Sequence, residues 1–371
     1  MGRGKTRPFF LMKNIQSYIV GAILVAFATL PYVNIKVMAP GEYFPWLFFL
    51  VGVAGMYLMF LKINAFVKAA ALLGLFNAFL SSAPLVSFLA YFSLIAACYF
   101  YYLCTRINNF EIVFKMLQAL LFFNAFMFLM QAIGHDPLMN FQESIYFGTV
   151  GQHMQSASFT VILAAVLVQH NPGNLFFPFI TSMICNSAGA FISAASGLIP
   201  LCYKKFNRSF VIQLAIVLAL VFSLWMAISG KFIENISLGG GRLGVWLATV
   251  KLGQQNLWFG WGMGTYQYIF PAIGGINTIP WKTTHNCWLQ IFFEMGLTGL
   301  ALVIGYAAYL VSNLVHLLHR AIFRHKAAAC LSGLAMIGIN MMFAFPTRMI
   351  QCVLLIIFFM AYCQKVIDYG K

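Results

Sequence analysis

The sequence predicts an all-α, polytopic integral membrane protein, a single domain of about twelve transmembrane helices with a large external loop. Three observations carry this. First, 62% of the 371 residues are apolar and only 8% are charged, against about 25% charged in a soluble domain. Too few polar side chains are present to cover a soluble surface, so a soluble fold, disorder, a nucleic-acid binder and a disulfide scaffold are excluded. Second, apolar runs recur along the chain at close to the ~20 residues that a hydrocarbon core demands. Third, the net charge of +15 is not spread evenly between the connections, and in membrane proteins cytoplasmic loops collect Lys and Arg.

Taken in order, the expected spans are 15–33, 44–61, 66–81, 84–104, 112–133, 155–169, 175–186, 187–203, 209–229, 286–312, 327–345 and 349–363. The basic start, Met1 to Lys13, leads into an apolar run reaching Leu30. That run is too long for a signal h-region and reads as the first helix. The seventh and eighth spans are short and rich in Ser, Ala and Gly, and one bent helix is the alternative. With twelve spans both termini lie on one side. The other side then carries only Lys36, Lys231, Arg242, Lys251, Lys282 and Arg348 of the 22 basic residues, which makes the termini cytoplasmic. Counting the short pair as one span would move the basic 204–208 turn outside, which favours two.

This orientation leaves two external segments, about 134–154 and 230–285. The second is the longest polar-containing stretch of the chain, and long loops carry function more often than they merely connect. Within it Leu243, Trp246, Leu247 and Val250 recur at helical spacing, which predicts a short amphipathic helix at the outer membrane surface.

Three features of that loop carry chemistry. Gly239, Gly240 and Gly241 precede Arg242 and the helical pattern. Glycines before a helix start let several N–H groups converge where the helix adds a partial positive charge, and the guanidinium fork of Arg242 suits phosphate. A flexible linker with a snorkelling arginine is the plainer alternative. Next, Trp258 and the run Gly260-Trp261-Gly262-Met263-Gly264-Thr265-Tyr266 alternate small and aromatic residues, leaving flat faces for sugar rings or lipid, or forming an interfacial belt. Last, His285 and Asn286 start a helix in which Gly296 lies about three turns along the same face, with Gly299 beside it. That glycine pair is expected to admit another helix beneath the histidine.

His285-Asn286, nine residues, Gly296, two residues and Gly299 resemble the signature of the O-antigen ligase and O-antigen polymerase superfamily, which also includes protein O-oligosaccharyltransferases. Arg242-Leu243 with Trp246, the segment Trp258 to Tyr266, and Glu294 with Gly296-Leu297-Thr298-Gly299-Leu300 are similar to the same family. The resemblance is strongest over about residues 237–305. A weaker similarity covers Gly148-Thr149-Val150-Gly151-Gln152-His153 with Ala157.

The resemblance implies a metal-independent glycosyltransferase of the bacterial inner membrane, with no cofactor. Its donor would be a glycan on undecaprenyl diphosphate. Its acceptor would be lipid A-core for a ligase of lipopolysaccharide biosynthesis, or a growing glycan for a polymerase. His285 would be the general base and Arg242 the group that stabilises the leaving pyrophosphate. Arg348, Lys282, Gly240, Gly241, Trp261, Tyr266, Asn286 and His153 would line the substrates, with Gly296 and Gly299 as structural glycines. Family members commonly carry further arginines where this chain reads Ser144-Ile145-Tyr146-Phe147-Gly148 and Asn186-Ser187-Ala188-Gly189-Ala190. Arg348, Lys251 or Lys282 is left to supply a second cation. Other partners expected are membrane lipids, with no nucleic acid; the basic run from His316 to Lys326 suits anionic headgroups.

Several constellations carry less. His135, Asp136, Glu143 and His153 match no metal-ligand spacing, and seven acids are few for a hard cation. Glu294, expensive inside a membrane, faces away from His285 and is expected to pair with another helix. The eight cysteines sit mostly in apolar spans and predict no disulfide, with Cys287 nearest the outer surface. A lipid-linked glycan flippase is the competing class. It would distribute polar residues through related halves, whereas this chain gathers them in one outer loop. The His/Asn-to-Gly spacing leans toward ligase over polymerase.

Overall fold

In a computed structural model, residues 7–29, 61–132, 153–185, 187–201, 242–273 and 282–371 are described. Their regular structure is helical throughout: α1 (Arg7–Thr29), α2 (Ala65–Leu80), α3 (Pro84–Thr105), α4 (Phe110–Ala132), α5 (His153–Leu167), α6 (Phe176–Ile184), α7 (Ala188–Ser196), α8 (Leu198–Leu201), α9 (Arg242–Gly253), α10 (Tyr266–Ile273), α11 (Cys287–Leu318), α12 (Arg324–Phe343) and α13 (Ile350–Gly370). Five segments are long and apolar enough to cross a bilayer: Pro84–Thr105, Phe110–Gln131, Cys287–Leu318, Arg324–Phe343 and Ile350–Gly370. The chain is thus a multi-pass membrane protein, all-helical in its described residues. The expected span 209–229, nearly all of span 44–61, the bulk of the first external segment, and Gly240 and Gly241 lie outside the described residues.

The bundle is organised around α5. Every residue from Gln155 to Val168 is buried, because α4, α6, α7, α12 and α13 all pack against this one helix. An apolar helix without a polar stripe has no face to give to water. The outward sides of α2 and α4 carry exposed Leu72, Phe76 and Phe79, and Phe122, Phe126 and Leu129, the apolar coat that lipid contact requires. Inside, several polar groups pair across helices, as an apolar medium favours. Asn124 Nδ2 donates to Thr160 Oγ1 at 3.1 Å, and the hydroxyls of Tyr101 and Tyr306 meet at 3.0 Å.

The short Ser/Ala/Gly-rich stretch is two helices, α6 and α7, parted at Cys185–Ser187 and packed on each other. Cys185 caps the end of the first and Ser187 starts the second, its hydroxyl accepting from Ala190 N. At nine residues each, ~14 Å of helix, neither alone reaches across a ~30 Å core. The seven described cysteines are free and buried. Cys287, expected nearest the outer surface, is only 1% exposed, because its sulfur packs 3.0 Å from Thr347 Oγ1.

Candidate active site

Arg242 begins α9, and Trp246 follows one turn later on the same face. The Trp246 indole N–H donates to the carbonyl of Thr284 at 2.8 Å, tying α9 to the turn that carries His285. That turn is locked on both sides of the histidine. The Thr284 hydroxyl accepts from Asn286 N at 3.0 Å and donates to Asn286 O at 2.5 Å, while Asn286 caps α11 by accepting from Leu289 N at 3.1 Å. His285 is held at φ 52°, the sole non-glycine residue at positive φ among those described. Such a conformation persists only where its surroundings impose it, and gathers at functional sites.

Arg242 and His285 line one cavity, with Gln155 and Ser158 of α5, Ser187, Gly189 and Ala190 at the start of α7, Asn340 and Phe343 of α12, and Phe345 and Met349 beyond it. All of these are residues that the expected topology places at the external ends of their spans. The His285 ring sits edge-on to Phe345, with centroids 4.9 Å apart. Burial in this apolar collar, and secondarily the charge of Arg242, lower the His285 pKa to about 4. The imidazole is therefore neutral and able to accept a proton at physiological pH. Burial also lowers the Arg242 pKa, from so high a starting value that the guanidinium stays charged.

A fixed cation beside a neutral base, at the mouth of a membrane bundle, is the geometry to set against known families. Residues 173–304 match the family model described as O-antigen ligase. That region belongs to the O-antigen ligase and polymerase superfamily. The match begins upstream of the loop motifs, taking in α6 and α7, and so includes Ser187, Gly189, Arg242 and His285 of the cavity wall. Glycan transfer of the general ligase or polymerase type goes with the family. A search of curated proteins finds no match to the chain.

The family's glycines have a different task here from the one their spacing implies. Gly296 interrupts α11 at φ 66° and ψ −164°, and what enters the break is the loop 257–262 rather than a helix. Trp261 N and Gly262 N donate to the carbonyls of Phe293 and Glu294, and Leu297 N and Thr298 N donate to those of Leu257 and Trp258. A Cβ on Gly296 would lie 2.4 Å from the Trp258 carbonyl, and one on Gly260 would lie 2.5 Å from Glu294 C. The two glycines exist for this backbone-to-backbone contact. Asn77 of α2 locks the loop from the far side, donating to the Phe259 carbonyl and accepting from Met263 N.

Glu294 completes the clamp. Its Oε2 accepts from Gly264 N at 2.9 Å, and its Oε1 takes Gln290 Nε2 at 3.1 Å and Arg348 Nη2 at 3.3 Å. As expected, its partner comes from another part of the bundle, the turn between α12 and α13. Arg348 is thus committed to Glu294 and is not among the residues lining the cavity with Arg242.

The aromatic residues also differ from expectation. Tyr266 is 0% exposed and bonded to Thr249. Trp261 stacks on Phe293 and donates to the Leu252 carbonyl. Packing uses up both rings, so neither presents a face to the cavity; Trp258 is the exposed one. The α9 helix has two faces. Val245, Thr249 and Leu252 are buried, whereas Leu243 and Leu247 point outward, free to meet lipid. Lys251 and Lys282 are exposed and outside the cavity wall. His153 starts α5, but its side chain, like His135, Asp136 and Glu143, lies outside the described residues. Gln155, Ser158 and Asn340 were not legible as site residues, since each reads as an isolated polar group in an apolar helix.

Proposed function

We propose that this chain is a membrane glycosyltransferase of the O-antigen ligase kind, passing a glycan from undecaprenyl diphosphate to a hydroxyl of lipid A-core on the periplasmic face. The observation that carries the reading is the Trp246–Thr284 bond, which places the Arg242 guanidinium and a neutral His285 in one cavity. His285 takes the proton of the acceptor hydroxyl as that oxygen bonds to the anomeric carbon. The bond from that carbon to the diphosphate breaks, and the charge that develops on the leaving undecaprenyl diphosphate is met by Arg242. The start of α7, in the same wall, adds the partial positive charge of a helix N-terminus. Arg348, bound to Glu294, holds the loop and not the diphosphate.

The test is in vitro transfer by the purified full chain from undecaprenyl-diphosphate-linked glycan, offered lipid A-core or a second donor molecule as acceptor. Product on lipid A-core supports the ligase reading; elongated lipid-linked glycan alone replaces it with polymerase. His285→Ala and Arg242→Ala are expected to abolish transfer while leaving the amount of folded protein unchanged. Full activity in both refutes the site.

A further inference from the structure

The cavity holding Arg242 and His285 has a second wall for which the mechanism above has no use. Gln155 lies in the first turns of the central helix α5, is 6% exposed, and lines the cavity. Its Oε1 is buried without a hydrogen-bond partner among the described residues. A buried amide oxygen is seldom left unmatched; Gln169 Nε2 and Gln290 Oε1 are unmatched too among the described residues, but Gln155 is the one of the three that lines a cavity where a bound molecule can supply the donor. One turn along the same face, Ser158 donates to Asn340 Oδ1 at 2.5 Å. This bond engages the acceptor end of the Asn340 amide and leaves its NH2 as the end to offer. Asn340 is 1% exposed and also lines the cavity.

We propose that Gln155 and Asn340 form a subsite for a hydroxyl of the sugar attached to the diphosphate, with Gln155 Oε1 accepting the hydroxyl hydrogen and the Asn340 amide donating to its oxygen. The inference rests on the reading that Arg242 holds the diphosphate. The chemistry selects the ligand class. A hydroxyl both donates and accepts, matching an amide oxygen and an amide NH2 that line the same cavity. Phosphate oxygens only accept, and would meet Gln155 Oε1 lone pair to lone pair. A prenyl chain would leave both amides unmatched. A hard cation needs several oxygen ligands. Both residues lie outside the region 173–304 that matches the family, so this wall is free to set which sugar the chain accepts.

The test measures binding to the purified full chain of two synthetic lipids, undecaprenyl diphosphate and the same lipid carrying one N-acetylglucosamine. Gln155→Met keeps the shape and removes the acceptor. It is expected to weaken the sugar-bearing lipid about tenfold, the scale of one net hydrogen bond, and to leave the bare lipid unchanged. The melting temperature of the unliganded protein should hold or rise, because an unmatched polar atom is gone; a purely structural role would lower it. Gln155→Glu keeps an acceptor oxygen at the same reach but adds a charge that repels the diphosphate, so it should weaken both lipids while retaining the preference between them. Equal weakening of both lipids by Gln155→Met, or no change in either, overturns the subsite, the latter meaning that water alone occupies it. Arg242→Ala should weaken both lipids. If it weakens neither while Gln155→Met still discriminates, the subsite stands and the diphosphate assignment falls.

Discussion

The pH dependence of transfer is the sharpest consequence of the site's electrostatics. Burial, with the Arg242 charge behind it, lowers the His285 pKa from an ordinary 6.5 to about 4. Because the neutral imidazole is the active form, activity is lost as pH falls through that pKa and is present above it. At pH 5.5 an imidazole of pKa 6.5 is about 9% neutral, and one of pKa 4 about 97%. Between pH 7.5 and 5.5 an ordinary histidine base would therefore cost roughly tenfold in rate, whereas this site should lose almost nothing. The assay is the initial rate of transfer by purified protein from about pH 3.5 to 8, with kcat/KM and kcat resolved separately. Since kcat/KM reports the free enzyme, its acid limb should fall near pH 4. The limb of kcat should lie higher, because a bound diphosphate offsets the Arg242 charge and returns His285 toward its ordinary value. A diphosphate esterified at both ends has no group of its own titrating in this range. An independent readout is the His285 imidazole resonance in isotopically labelled protein, assigned by its absence in His285→Ala. In Arg242→Gln its pKa should rise, with burial as the remaining cause. A kcat/KM limb at pH 6.5 would refute the reasoning, as would a His285 resonance that titrates there.

Other expectations concern the clamp and the topology. Gly296→Ala places a side chain in a backbone region essentially reserved for glycine, with its Cβ against the Trp258 carbonyl. Strain alone costs about 1–3 kcal/mol, so the yield of folded protein in detergent should drop sharply, and a normal yield would argue against the broken-helix contact. Arg348→Ala leaves Glu294 partly buried without its cation, at a cost of about 2–4 kcal/mol, and should lower the melting temperature while sparing kcat of the folded fraction. Arg242→Ala should do the reverse, and a loss of kcat without destabilisation in Arg348→Ala would return that arginine to the chemistry. Reporter fusions at either terminus should report the cytoplasm, with one inserted near residue 256 reporting the periplasm; opposite signals overturn the orientation.

Much of this was legible in the sequence because composition and periodicity report the medium each helix faces. Scarcity of charge made the chain a membrane protein, and the segregation of basic residues sorted its loops. The cavity wall consists of residues that the expected topology puts at the same ends of their spans, and Arg242 and His285 stood out as the chemically distinctive residues of the long loop 230–285. Glu294 could be seen to need a distant partner, because a carboxylate in that setting is costly alone.

The meeting of particular side chains belongs to the tertiary structure. Nothing near Arg242 in the chain says that Trp246 reaches Thr284, yet that bond is what turns two motifs into one site. Gly296 and Gly260 read as small residues on helix and loop faces, and only the packed backbone shows one breaking its helix to admit the other. Tyr266 and Trp261 read as open ring faces, but the fold buries the first and stacks the second on Phe293. Gln155 carried no signal at all, since an unmatched oxygen is defined by what surrounds it. Local pattern encodes the environment of a helix face; the acidity of His285, the strain in its turn and the empty valence of Gln155 arise from neighbours tens to hundreds of residues away, and only their packing creates them.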